Sequence, residues 1–156
     1  MSDKKPTVTA LDQELVDALN EKEAEARQLL DISDDKKPAK VVSKIRKFVD
    51  QLLSEDRSEE EMHEYALQFG ALWGAMLCEE YDWQWKYLDF GDDVKGIYLV
   101  SPKKYYCCPP LYFMNKILGR NNPGLDGEND NTIMLLFNMI KDIEKQKPAE
   151  KYQIIS

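Results

Sequence analysis

Histidine is nearly missing from this chain. His63 is the only one among 156 residues, which excludes a multi-histidine metal site within one copy. Cysteine is scarce too. Cys78, Cys107 and Cys108 make three, an odd number, and two of them are neighbours. Adjacent cysteines rarely bridge without strain, because disulfide geometry wants their Cβ atoms facing each other. The expected state is three free thiols in a reduced, cytoplasmic protein. A Cys3His zinc site is not expected either, since Cys107 and Cys108 have no gap between them. The seven glycines form no phosphate-binding loop, dinucleotide fingerprint or nucleophile elbow. Apolar runs reach only four or five residues, too short for a helix that spans a bilayer. The start, Met1 to Pro6, has no apolar stretch after its lysines and does not read as a secretory signal. Positive charge is also in deficit. Lysine and arginine number 21 against 29 acidic residues, a net charge of −8, which argues against binding nucleic acid or an acidic membrane by bulk charge. No cofactor and no metal is expected.

What is present is ordinary core material. Hydrophobic residues make up 43% and charged residues 32%, enough for one hydrophobic core and too apolar for a disordered chain. The acidity is uneven: residues 11–100 hold 11 basic and 22 acidic side chains. A partner drawn by long-range field is expected there.

Residues 1–8 read as a polar tail and 9–156 as a single α+β domain. From Thr9, which can cap, Leu11, Leu15, Ala18, Leu19, Ala26, Leu29 and Leu30 recur at helical spacing. The opposite face (Glu14, Asp17, Glu21, Glu25) is acidic and reads as solvated. Pro38 is placed to open a second helix, with Val41, Val42, Ile45, Phe48, Val49, Leu52 and Leu53 on its apolar side. Ser58 and Glu61 form a capping box, and Glu59–Glu61 suits the positive end of a helix dipole. The helix they open is apolar almost all round from Tyr65 to Cys78, so it is expected as a buried central helix. Ala66, Gly70 and Gly74 fall on one line along it. Glycine inside a helix costs about 1 kcal/mol against alanine, so another backbone is expected close against that line.

Beyond Asp82 the period changes to two. Trp83, Trp85 and Tyr87 predict a strand with one aromatic face. Phe90–Asp93 is a turn, Gly96–Val100 a second strand, and Tyr105–Cys108 a third that Pro109 and Pro110 must stop. These spacings predict a small antiparallel three-stranded sheet. C-terminal helices follow at Leu111–Leu118, with Gly119 at its C′ position, and from Thr132 to about Lys145. Tyr152–Ile155 reads as a docked extended tail.

Few residues suggest chemistry. His63 sits one turn into a capped helix, as an ordinary histidine. The loop Asp126–Asn131 is rich in oxygens but lacks EF-hand spacing. Trp83, Trp85 and Tyr87 offer a stacking platform for a base or sugar, yet acidic neighbours repel phosphates, and packing on the central helix is the simpler role.

The segment Phe69-Gly-Ala-Leu-Trp-Gly-Ala-Met-Leu-Cys-Glu-Glu-Tyr-Asp-Trp-Gln-Trp85, with Pro110–Leu118 after it, resembles small uncharacterised bacterial cytosolic proteins. In these a Gly-bearing apolar helix runs into a Trp-x-Trp strand. Over residues 66–118 the resemblance implies a toxin-immunity protein and carries over no functional residue. The glycine-rich immunity superfamily with Leu-Pro and Gly-Gly features is not matched.

The expected function is therefore a non-enzymatic binding protein that neutralises a basic toxin or effector domain stoichiometrically. Asp92 and Asp93 in the turn and Asp126, Glu128 and Asp130 in the loop are the expected partner-binding residues, because loops at one end of a sheet can enter a concave site. The helix face Glu14/Asp17/Glu21/Glu25 is the competing surface. Tyr105 and Tyr112 are the places to look if binding is apolar. The alternative is a small-ligand or enzymatic domain that uses the aromatic strand face with Cys107 and Cys108.

Overall fold

The computed structural model describes residues 5–32, 37–119, 133–146 and 151–155. Among these the order is β1 (Thr7–Thr9), α1 (Gln13–Leu30), α2 (Pro38–Leu53), α3 (Glu59–Tyr81), β2 (Gln84–Asp89), β3 (Lys95–Val100), β4 (Tyr106–Cys108), α4 (Pro110–Leu118), α5 (Ile133–Ile143) and β5 (Gln153–Ile154). The class is α+β, as the sequence predicts.

The sheet is larger than expected. It has five strands in the order β1-β2-β3-β4-β5, not three. The expected antiparallel meander is its centre, with Trp85 opposite Leu99 and Val100 opposite Cys107. β1 adds antiparallel to β2, in the register Thr7 to Asp89, so residues 7 and 8 belong to the sheet and not to a tail. β5 adds parallel to β4, with Tyr106 opposite Gln153, which makes the sheet mixed. Both additions are exposed along their length. Backbone pairing with a neighbour makes them strands, and no alternation of side chains announces it.

Caps fix the helix starts. Asp12, not Thr9, caps α1: its carboxylate accepts the N–H of Leu15 at 3.0 Å, which leaves Thr9 to β1. Ser58 caps α3 as expected, its hydroxyl accepting the N–H of Glu61 at 3.2 Å. Pro38 opens α2, which buries Val41, Val42, Ile45, Val49 and Leu52. Gly119 ends α4 in the right-handed region, with φ −78°, so the left-handed freedom of glycine is not used there.

α3 is the central helix. Ten of its residues are buried, among them Met62, Phe69, Leu72, Trp73, Met76 and Leu77. The small-residue line meets close neighbours, as predicted, though not one uniform backbone. A Cβ on Gly70 would lie 3.0 Å from the Leu111 Cα at the start of α4. A Cβ on Gly74 would lie 2.5 Å from the Trp85 indole. Trp73, its ring tilted against Phe113 with centroids 4.7 Å apart, donates its Nε1–H to the Ile133 carbonyl at 3.2 Å, tying α3 to α4 and α5.

α1 is more peripheral than its apolar repeat suggests. Ala26 is its one buried residue, and Leu29 is exposed. Its link to α3 is partly polar. Glu25 accepts from the Gln68 amide at 2.9 Å, and Lys22 bridges to Glu64. Glu25 is thus turned toward a neighbouring helix, whereas Glu14, Asp17 and Glu21 are exposed. Its carboxyl is held below the usual range first by the Gln68 hydrogen bond and then by Lys22.

Apolar packing occupies both sheet faces. Trp83, Leu99, Tyr106 and Cys108 join the main core beneath the helices. Leu88, Tyr98, Val100 and Cys107 form a small cluster on the other face, edged by Phe90 and Tyr152.

Candidate binding site

The β2–β3 turn presents two of the expected acids. Asp89 accepts the Gly91 N–H at 2.9 Å, and Phe90 N–H donates to the Val94 carbonyl at 2.8 Å. Gly91, Asp92 and Asp93 then take positive φ in succession, 84°, 52° and 65°. Aspartate tolerates this region better than most residues with a side chain. Asp92 and Asp93 are both exposed at the tip. Asp126, Glu128 and Asp130 lie outside the described residues.

Beside this turn lies a cavity of about 750 Å³. Asp93, Val94 and the β3 residues Lys95–Tyr98 line one side. Pro109, Leu111 and Tyr112 from the start of α4, Ile154 of β5, Tyr87 and Leu15 complete it. Leu15 lies in the first turns of α1, beside exposed Glu14 and shortly before exposed Asp17. Asp93 of the acidic turn and apolar Leu15 of α1 therefore border one groove, whereas Glu14 and Asp17 are not among its lining residues. Several lining side chains remain open to solvent: Val94 is 45%, Ile154 47% and Tyr112 61% exposed. Tyr105, by contrast, packs against the main core.

The cysteines and the aromatic strand do not converge on this groove. Trp83 is only 2% exposed and donates its indole N–H to Glu144. Trp85 rests on Gly74, and of the three aromatics only Tyr87 reaches the cavity. Cys107 and Cys108 are buried on opposite faces of the sheet, as consecutive strand residues must be. Burial pushes the Cys107 thiol up to about 12 and raises that of Cys108 as well. Thiolate chemistry near neutrality is suppressed at both.

His63 is exposed and lines a separate cavity of about 490 Å³ with Arg57, Met62 and Asn115. The Arg57 guanidinium there is engaged by Glu55 at 2.7 Å and Glu61 at 3.0 Å. Among the described residues, no three His, Cys, Asp or Glu side chains gather to hold a metal ion, and no helix is long and apolar enough to cross a membrane.

Sequence reasoning missed most of the groove. Leu15, Ile97, Leu111 and Ile154 come from four separate segments, and no local pattern joins them. Two signals were present: Gly96 inside a strand, which marks a bulge or a close approach, and a proline pair cutting β4 short. Comparison of the chain with protein-family models, curated proteins and solved structures finds no match.

Proposed function

We propose that this chain is a non-enzymatic binding protein that captures a basic protein partner, acting as an immunity protein that neutralises a toxin by stoichiometric binding. One observation carries the reading: the exposed Asp92–Asp93 turn stands at the mouth of an apolar groove, with Asp93 among its lining residues. Complementary charge speeds capture of a basic partner, and apolar area then holds it. A net charge of −8, with the acidic excess in residues 11–100, supports the same polarity.

The test is co-expression with a basic effector-like domain encoded beside this gene. A one-to-one complex and survival of cells that make the toxin are expected. In stopped-flow mixing, Asp92→Lys with Asp93→Lys should slow association by about tenfold at low salt and leave dissociation nearly unchanged. An association rate indifferent to salt and to these substitutions removes the acidic-capture reading.

A further inference from the structure

The pairing of β3 is incomplete in a way that matters for binding. β3 has six residues and β4 three. Among the described residues, β4 covers only Leu99 and Val100. The Ser101 N–H donates to Tyr106 O at 2.9 Å, so the backbone groups of Ser101 face β4. Backbone direction alternates along an antiparallel strand, which puts Leu99, Ile97 and Lys95 on that same side. The Val94 carbonyl accepts from Phe90 and faces β2, as the alternation requires. Continuing the β4 register past Cys108 would place Pro110 opposite Ile97. Proline has no N–H to give, and the chain turns there into α4. The N–H and C=O of Ile97 and Lys95 consequently point into the groove.

We propose that the open β3 edge at Lys95–Tyr98 is a strand-addition site that takes an extended segment of the partner protein, with apolar and basic residues alternating. This deepens the reading above and rests on it for the partner's charge; the geometry of the edge does not depend on it. Strand addition needs an unpaired edge for main-chain hydrogen bonds and pockets for alternate side chains. Both are here. Four strand residues span about 13 Å, Ile97, Leu111 and Tyr112 supply apolar walls, and at Gly96 no atom stands within 4 Å of where a Cβ would be. The charge nearby is acidic, with Asp89, Asp92 and Asp93 against Lys95 alone over residues 89–95.

The recess selects the occupant. Exposed sheet edges invite pairing with other sheets unless something guards them. Here α4 and β5 stand beside the edge, so a second copy of this sheet meets those walls first, while a single extended segment can enter.

The probe is a capped seven-residue peptide alternating lysine and valine, titrated into the isotope-labelled full chain. Amide shifts should concentrate at Lys95–Tyr98 and Tyr112, and exchange of the Ile97 N–H should slow by about tenfold or more. N-methylating the peptide amides that face the edge should weaken binding by about tenfold or more. Ile97→Pro, which removes an N–H that β2 does not use, should abolish binding while the melting curve keeps its cooperativity. If that variant does not fold, the N-methylated peptide on the unaltered chain decides alone.

Shifts centred elsewhere, undiminished binding of the N-methylated peptide, no binding at all, or a dimer built through this edge in sedimentation would each overturn the proposal. A basic partner that responds to Asp92→Lys and Asp93→Lys but not to Ile97→Pro leaves the acidic-capture reading standing without strand addition. Peptide addition at β3, with no basic partner bound, does the reverse.

Discussion

A side chain added at Gly74 on α3 would begin 2.5 Å from the Trp85 ring, whereas one added at Gly96 on β3 would meet nothing within 4 Å. Both glycines lie next to the same sheet. One is small because neighbours from β2 and α4 already fill the space, the other because its backbone takes φ +157°. The first region is where folding free energy is concentrated. The second is where the sheet is left incomplete and apolar side chains remain in water. The stable side can be dense because little has to enter it, and the open side can receive a segment because the dense side holds the strands in place.

Gly74→Leu attacks the dense side and should have the largest effect among the glycine substitutions. The indole of Trp85 must move or the helix must shift, and overpacking of this kind costs about 1–3 kcal/mol or more. The melting temperature should fall by roughly 2–12 °C, at about 2–4 °C per kcal/mol for a chain of this size. Trp85→Ala in the same chain should recover part of the loss, because it removes the atoms that clash. Gly70→Ala should cost less, although its nearest fixed neighbour is backbone at 3.0 Å and cannot swing away. A Gly74→Leu protein that melts at the unaltered temperature would erase the contrast between the two regions.

Alkaline titration tests whether both faces of the sheet are as dry as their packing implies. Burial pushes the thiols of Cys78 and Cys107 up to about 12 from the ordinary value of 9.0. The folded chain therefore keeps protons that the unfolded chain releases, and stability must fall as pH rises through the window from about 9 to 12. Below that window the thiols contribute no pH dependence. Denaturant midpoints measured from pH 7 to pH 10 should be level at first and then decline, on the order of 1 kcal/mol per buried thiol by pH 10. Cys107→Ala should flatten part of the decline. Midpoints that stay level through pH 10 would mean the thiols are hydrated and titrate alike in the folded and unfolded chain.

Gly96→Ala probes the open side. Space is available, so the expected cost, about 1 kcal/mol, comes from forcing a side chain into a backbone region that L residues rarely adopt. The distinguishing measurement is rescue: Trp85→Ala relieves Gly74→Leu and should do nothing for Gly96→Ala. Relief of both would mean that Gly96 is confined by packing after all.

How much of this was legible in the sequence follows the same division. The dense side announced itself locally. Ser58 and Glu61 marked where α3 begins, the run from Tyr65 to Cys78 marked its burial, and Gly70 and Gly74 marked a close neighbour. The alternation of Trp83, Trp85 and Tyr87 gave the sheet face that packs on it. The additions at the sheet edges were marked less: Tyr152–Ile155 read as a docked extended tail without its partner, and Thr7–Thr9 as no strand at all. Thr7–Thr9 and Gln153–Ile154 are strands because β2 and β4 offer backbone groups to them, and a pairing partner far along the chain cannot be read from two or three exposed residues. The groove was hidden for the same reason, since Leu15, Ile97, Leu111 and Ile154 meet only after the fold is made. Asp92 and Asp93 were legible as a turn, while the neighbouring cavity that gives them a possible use was not.

The smallest expected effect belongs to Tyr112. It is the most exposed large hydrophobic residue among those described, at 61%. Its ring lies 6.0 Å from the Lys116 ammonium, and such an exposed cation–π contact is worth about 0.5–1 kcal/mol at most. On the dense side an aromatic truncation such as Phe113→Ala should cost about 3–5 kcal/mol, since Phe113 is buried against Trp73. Tyr112→Ser, immediately before it in α4, should change stability by no more than about 0.5 kcal/mol. Two adjacent aromatics on one helix would then differ several-fold in what they contribute to the fold, purely by which side of the helix they occupy. Exposed apolar area that does so little for stability is area available to a partner. The two measurements therefore belong together: Tyr112→Ser should leave the melting curve in place and weaken binding of the alternating lysine–valine peptide. If Tyr112→Ser instead lowers stability by more than about 1 kcal/mol, the residue is part of the core, and the wall it forms at the β3 edge is structural.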